Sequence, residues 1–155
     1  MPRRELDLPD LDAVVAEADS LCRHGYTKAG QWDLGQVCTH IAKPMRGVVE
    51  GIPAKFRVPW HVRLAVRVLG VKGKVLRTRR IREGVAIPKN LVPPAGLDEA
   101  QTVAELRAAV AAYKAYQGVV PRHPLFGTLT RAEWDEMILI HCFHHLSFLI
   151  PKKVD

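Results

Sequence analysis

Cysteines are few, a membrane-length apolar run is missing, and one long stretch has no acidic residue; each shortage removes a class of function. Cys22, Cys38 and Cys142 are odd in number and no two are spaced as CxxC, which excludes a disulfide framework and a zinc knuckle. They read as reduced, mostly buried thiols. No apolar run approaches the roughly 20 residues of a membrane span. The opening MPRRELDLPDLDAV has basic residues with no apolar segment behind them, so no secretory signal is expected and the cytoplasm is the expected location. HExxH is absent, and neither His40 nor His141 follows a Glu by three residues, so the helix signatures of metalloproteases and di-iron carboxylate proteins are missing. Internal repeats and low-complexity segments are missing too.

What is present is a chain of 155 residues, 48% hydrophobic, which suits one domain over residues 1–155 with a core large enough to fold unaided. The net charge of +7 is unevenly placed. Lys55 to Arg82 holds ten basic residues and no acidic one, while the remainder sums to −3. Basicity therefore belongs to one arm inside the connection 51–97. Lys72, Lys74, Arg77, Arg79, Arg80 and Arg82 could neutralise several phosphates, which would make the chain a binding module for nucleic acid or another polyanion. Only Phe56 and Trp60 offer stacking surfaces there and no nucleic-acid motif is present, so nucleic acid is the weaker reading. A solvated basic face, or contact with an acidic patch on a second subunit of a homodimer, weighs more.

The apolar spacing predicts four long helices. Asp10 caps the first, which runs to about His24 with Leu11, Val14, Val15, Ala18, Leu21 and Cys22 on its core face and Gly25 as its stop. A polar loop follows over 25–31. Asp33 and Gln36 form a cap pair for the second helix, from about Trp32 to Val49, whose apolar face is Leu34, Val37, Cys38, Ile41, Ala42, Met45 and Val48. Pro44 lies inside it and removes the amide that would bond to the His40 carbonyl, so a bend is expected. In the connection, a short helix after Pro59 is expected to turn Val62, Ala65, Val66 and Leu69 toward the protein; residues 71–84 read as extended or irregular, and a proline-rich loop follows. The third helix spans about Asp98 to Gln117, with Val103, Leu106, Val110 and Tyr113 inward and Gly118 ending it. Thr130 and Glu133 have the capping-box spacing that opens the fourth, which the pattern carries toward Pro151. Short first and last loops around a long middle connection predict an all-α four-helix bundle, up-down-down-up, with a crossover carrying a short extra helix.

Histidines break the apolar stripe of the fourth helix. Trp134, Ile138, His141, His145 and Phe148 recur at steps of four and three, so both imidazoles face the core. A buried imidazole needs a partner. One such histidine is more often a satisfied core residue than a ligand, but His141 and His145 are one turn apart and could reach a single ion. In the predicted topology the second and fourth helices are antiparallel. At about 1.5 Å per residue, His40 lies about 10 Å from the start of its helix, and His145 and His141 about 8 and 14 Å from the end of theirs. The three rings thus fall at one depth, and a three-histidine metal site is expected. Three neutral imidazoles with an open position describe a catalytic rather than a structural zinc site. All-nitrogen ligation also suits nickel, iron or copper, with zinc and nickel foremost. A degenerate scaffold without metal is the alternative. His144 points about 100° away from His145 and is expected behind the ligands or at the surface. Placement puts Tyr26, Thr27, Lys28, Gln31 and residues 87–94 around the mouth, His123 at the far end as a structural residue, and His24 at a helix end. No catalytic acid or base is legible.

Trp32 ahead of His40, the HxxHH of His141, His144 and His145, and the phrases QWDLGQVCTHIA, HPLFGTLTRAEW and HCFHHLSFL form a pattern over about residues 10–150. It resembles the DinB-like superfamily of small bacterial metal-binding bundles, in particular a branch known only as a domain of unknown function. The resemblance implies His40, His141 and His145 as ligands of a divalent ion. It also implies a small-molecule substrate and either metal-dependent hydrolysis or transferase and isomerase chemistry that uses a low-molecular-weight thiol.

Overall fold

Each long helix begins where a short polar side chain can take up a free backbone amide. In the computed structural model, which describes residues 2–53, 56, 58–84 and 91–152, the Asp10 carboxylate accepts from the Ala13 amide at 2.8 Å and opens α1 (Leu11–His24). Gly25, at φ 78°, ends it. Asp33 and Gln36 close a reciprocal capping box at the start of α2 (Leu34–Glu50), and Thr130 and Glu133 another at the start of α6 (Arg131–Leu146). Asp98 caps α5 (Glu99–Ala115) through the Gln101 amide. Caps of this kind contribute about 1 kcal/mol each. Between α2 and α5 lie two short helices, α3 (Trp60–Val68) and α4 (Val71–Thr78). Two three-residue strands, β1 (Tyr26–Lys28) and β2 (Leu149–Pro151), pair antiparallel with Thr27 opposite Ile150.

The described residues are thus mostly helical, with six helices and one small sheet. α2 packs against α5 and α6, and α1 against α5 and α6. Their shared core is built from Val14 and Leu21 of α1, Leu34, Ile41 and Met45 of α2, Leu106 and Tyr113 of α5, and Trp134, Ile138 and Leu146 of α6. Every residue of the apolar face expected for the second helix is buried. Pro44 sits inside α2, so the His40 carbonyl has no intrahelical amide to receive. Among the described residues no helix is long and apolar enough to cross a membrane.

Five expectations from sequence need correction. The loop after α1 contains β1, a small addition to a mostly helical fold that stays roughly consistent with the all-α expectation; three-residue strands are too short to show an alternating pattern. The fourth helix stops at Leu146, because Pro151 disfavours helical backbone at Ile150 and the chain there pairs with β1. Residues 71–78 are helical rather than extended: Val71 and Val75, one turn apart, pack into the body beside α6, and Lys72 Nζ meets Glu133 at 2.7 Å. Tertiary packing decides a segment whose local pattern fits either state. The fourth correction concerns α3, which has no buried residue; Val62 and Leu69 are exposed, as is Ala65. α5 also ends slightly early, capped by Tyr116 before Gly118 is reached. Residues 85–90 of the proline-rich loop, including 87–90 of the segment expected at the mouth, lie outside the described residues, as do Lys55 and Arg57 of the basic arm.

Polar contacts pin the returning end of the connection along α2. Gln36 Nε2 donates to the Pro93 carbonyl at 2.8 Å, Lys43 Nζ to the Leu91 carbonyl at 3.2 Å, and the Asp33 carboxylate accepts from Gly96 at 3.1 Å. The Tyr26 hydroxyl ties three elements: it donates to Glu99 of α5 and accepts from the Leu34 amide of α2.

Candidate metal centre

α2 brings in His40, and α6 brings in His141 and His145 one turn apart. One ring nitrogen from each lies within 4.8 Å of the others, and His40 Nε2 stands 3.1 Å from His141 Nε2. The ring centroids are 4.6 to 4.9 Å apart. At zinc–nitrogen bonds of about 2.1 Å, two ligands of a tetrahedral ion are about 3.4 Å apart, and two at right angles about 3.0 Å. The His40–His141 spacing falls between these. The three residues could hold a divalent metal ion.

Electrostatics keep the rings in the form that a metal requires. Burial, then the Lys43 ammonium, pushes His40 down to about 4. Burial holds His141 well below the ordinary histidine range, with His40 adding to the effect. Burial, then His141 and His40, also holds His145 far below the ordinary histidine range. All three are neutral at pH 7, the form in which a ring nitrogen can offer its lone pair to a metal. Nδ1 of His40 and of His141 is shut off from solvent without a hydrogen-bond partner. The Leu91 backbone carbonyl approaches the His40 ring closely enough to oppose its depression, yet does not complete a hydrogen bond of good geometry to Nδ1.

Trp32 packs against two of the three rings. Its indole stacks on His145, with centroids 5.3 Å apart and planes 7° from parallel, and meets His40 edge-on at 4.9 Å. Sequence spacing does not announce this, because eight residues at about 100° each leave Trp32 and His40 some 80° apart on a helix. The contact exists because Trp32 precedes the Asp33 cap and is not bound to the helical screw.

His144 turns away from the cluster. Its Nδ1 lies 3.1 Å from an Arg3 guanidinium nitrogen, its ring meets His145 edge-on at 5.0 Å, and burial followed by Arg3 pushes its pKa down to about 4. It lines a cavity of about 660 Å³ together with Arg3, Arg79, Ile81 and Phe143. Nothing in the sequence points to Arg3, which arrives from 141 residues away. Tyr26 is committed to its two hydrogen bonds, while Lys28 and Gln31 are exposed. His123 accepts from the Leu125 and Phe126 amides through Nδ1 and stacks on Phe126, a fastening of its own loop. His24 is exposed and pairs with Ser20. In the basic arm, Lys72 pairs with Glu133, Arg79 with Asp7 and Glu136, and Arg80 with Glu5, whereas Lys74, Arg77 and Arg82 are exposed.

No curated protein and no solved structure matches the chain. A family model does, over residues 1–152. With its whole described length inside that match, the chain belongs to the family described as protein of unknown function (DUF1569).

Proposed function

We propose that this protein is a metal-dependent enzyme in which His40, His141 and His145 hold one divalent ion, zinc or nickel, at a small-molecule site. The observation that carries the reading is the gathering of three imidazole nitrogens from two helices within 4.8 Å. Magnitudes favour a metal over mutual hydrogen bonding. Burying a polar group without a partner costs about 1–3 kcal/mol, and a single imidazole–imidazole hydrogen bond returns only about 1 kcal/mol. Three gathered rings are therefore left several kcal/mol short, whereas binding a structural zinc ion is worth on the order of 10 kcal/mol.

A divalent ion held there would supply Lewis acidity that turns a water or a thiol into a nucleophile near neutral pH. The chain's own residues would prepare the ground. Depressed pKa values keep the ligands neutral, and Trp32 fixes the plane of His145 and braces His40. The Leu91 carbonyl is placed to receive the remaining N–H of His40, the kind of support that sets a ligand's tautomer. Three protein donors leave a position for water or substrate.

The reaction is hydrolysis, or transfer involving a low-molecular-weight thiol, as in DinB-like proteins. Membership of that superfamily is supported by the histidine pattern and by its origin on two helices. The mutual packing of α1, α2, α5 and α6 supports a single four-helix bundle running up-down-down-up, with 51–97 as an insertion in its crossover. The test is elemental analysis of protein purified without added metal and after reconstitution. One ion per chain is expected, absent from His40→Ala and His141→Ala; a wild-type chain that takes up none, folded and reconstituted, would defeat the reading.

A further inference from the structure

The outer face of α3 is apolar and uncovered. Trp60, Leu64 and Val68 recur at steps of four and are 73%, 51% and 74% exposed, and Leu69, just past the helix, is 75% exposed. Of the seven large hydrophobic side chains exposed among the described residues, Trp60, Leu64 and Val68 lie within about 80° of one another on α3 and form one patch, while Val62 and Leu69 fall on the opposite side of the helix. Its borders are cationic. At about 100° per residue, Arg67 and Arg63 sit roughly 20° and 60° to one side of Trp60, with Leu64 and Val68 on the other. α4 adds Lys74 and Arg77, both exposed. No acidic residue occurs between Lys55 and Arg82. Lys72, Arg79 and Arg80 tie the arm to the body through carboxylates, while Arg63, Arg67, Lys74 and Arg77 make no ion pair among the described residues.

We propose that α3 lies flat on a bilayer surface bearing anionic phospholipid headgroups, with Trp60, Leu64 and Val68 entering the headgroup boundary and the flanking arginines meeting phosphates. An indole beside aliphatic residues, edged by guanidinium groups, is the composition of an interfacial helix. A nine-residue helix is far too short to span a bilayer, and lying on one needs no such length. Two other occupants fit less of the surface. A second copy docked through the same stripe would bring Arg63 and Arg67 of both chains together with no acidic residue on either arm. Nucleic acid would use the cations but leave Leu64 and Val68 in water.

The test is co-sedimentation of the full chain with vesicles of phosphatidylcholine, with and without phosphatidylglycerol. At roughly fivefold per basic residue near an anionic surface, four such residues should make binding to the mixed vesicles several hundredfold tighter. High salt should weaken it. Leu64→Gln with Val68→Gln, both on exposed positions and checked for helicity by circular dichroism, should lose at least about tenfold. Arg63→Gln with Arg67→Gln should lose binding to anionic vesicles specifically. Trp134 is buried and Trp32 packs on the histidines, so Trp60 is the solvent-facing indole; its emission should shift to the blue on anionic vesicles and escape aqueous quenchers. Absence of vesicle binding overturns the proposal, as does vesicle binding indifferent to the Leu64 and Val68 changes. A dimer in light scattering that those changes dissolve assigns the face to a second copy. Binding to duplex DNA without binding to vesicles assigns it to nucleic acid.

Discussion

Replacing His145 with alanine, beside the same change at His144, separates a ligand from its neighbour in sequence. Zinc held by four donors is worth about 10–16 kcal/mol, so one donor accounts for roughly 3–4 kcal/mol. At about 1.4 kcal/mol per factor of ten, His145→Ala should weaken metal binding roughly 100- to 1,000-fold. His144→Ala leaves all three clustered nitrogens in place. It removes the contact with Arg3, about 1 kcal/mol of folding stability, and should change metal affinity by less than about tenfold. Both rings are half-buried, so both variants lose some packing and their metal-free melting temperatures should fall by similar amounts. Affinity, not stability, carries the contrast. Competition against a chromophoric chelator measures it, with bound metal counted per chain. Equal losses in the two variants, or wild-type affinity in His145→Ala, would refute the ligand assignment.

Acid should unfold the metal-free protein in a defined window. A histidine whose pKa is depressed by folding binds its proton more readily in the unfolded chain, so its stabilising contribution is complete above pH of about 6.5 and is lost as pH falls toward the folded value, at up to about 1.4 kcal/mol per pH unit. For His40 and His123 that value is about 4, so chemical-denaturation midpoints should decline between these limits, and His123→Gln should flatten the slope. Trp32→Ala removes the indole that packs on His145 and His40 and should lower metal affinity on the order of tenfold, measurable in the chelator competition, with the fold kept. Asp33→Ala takes away the acceptor for both the Gln36 and Gly96 amides; a loss of about 2 kcal/mol in denaturant unfolding is expected, since one cap and one further hydrogen bond go together.

What could be read from the chain alone divides along sequence distance. Asp10, Asp33, Asp98 and Thr130 each announce a helix start because a cap is a local bargain between a side chain and an amide three residues on. The buried face of α2 was legible for the same reason, since its periodicity needs no knowledge of the partner. Pairing of Tyr26–Lys28 with Leu149–Pro151 joins segments more than a hundred residues apart through backbone groups that every residue carries, so no residue type marks it. The helicity of α4 depends on Val71 and Val75 finding the body beside α6. At the cluster, axial rise along two helices, taken as antiparallel, sufficed to bring the three histidines to one level. It could say nothing of Trp32, which lies just outside the helix, or of Arg3 and Leu91, which reach the site from distant segments.

The proline one turn beyond His40 has a mechanical meaning. With no amide at Pro44, the ladder of α2 lacks a rung at the carbonyl of His40 itself, so the rod is most compliant where that imidazole is mounted and stiff at its capped start. A scaffold that yields at one point would let the His40 ring adjust to an ion without disturbing the capping box that sets the helix in place.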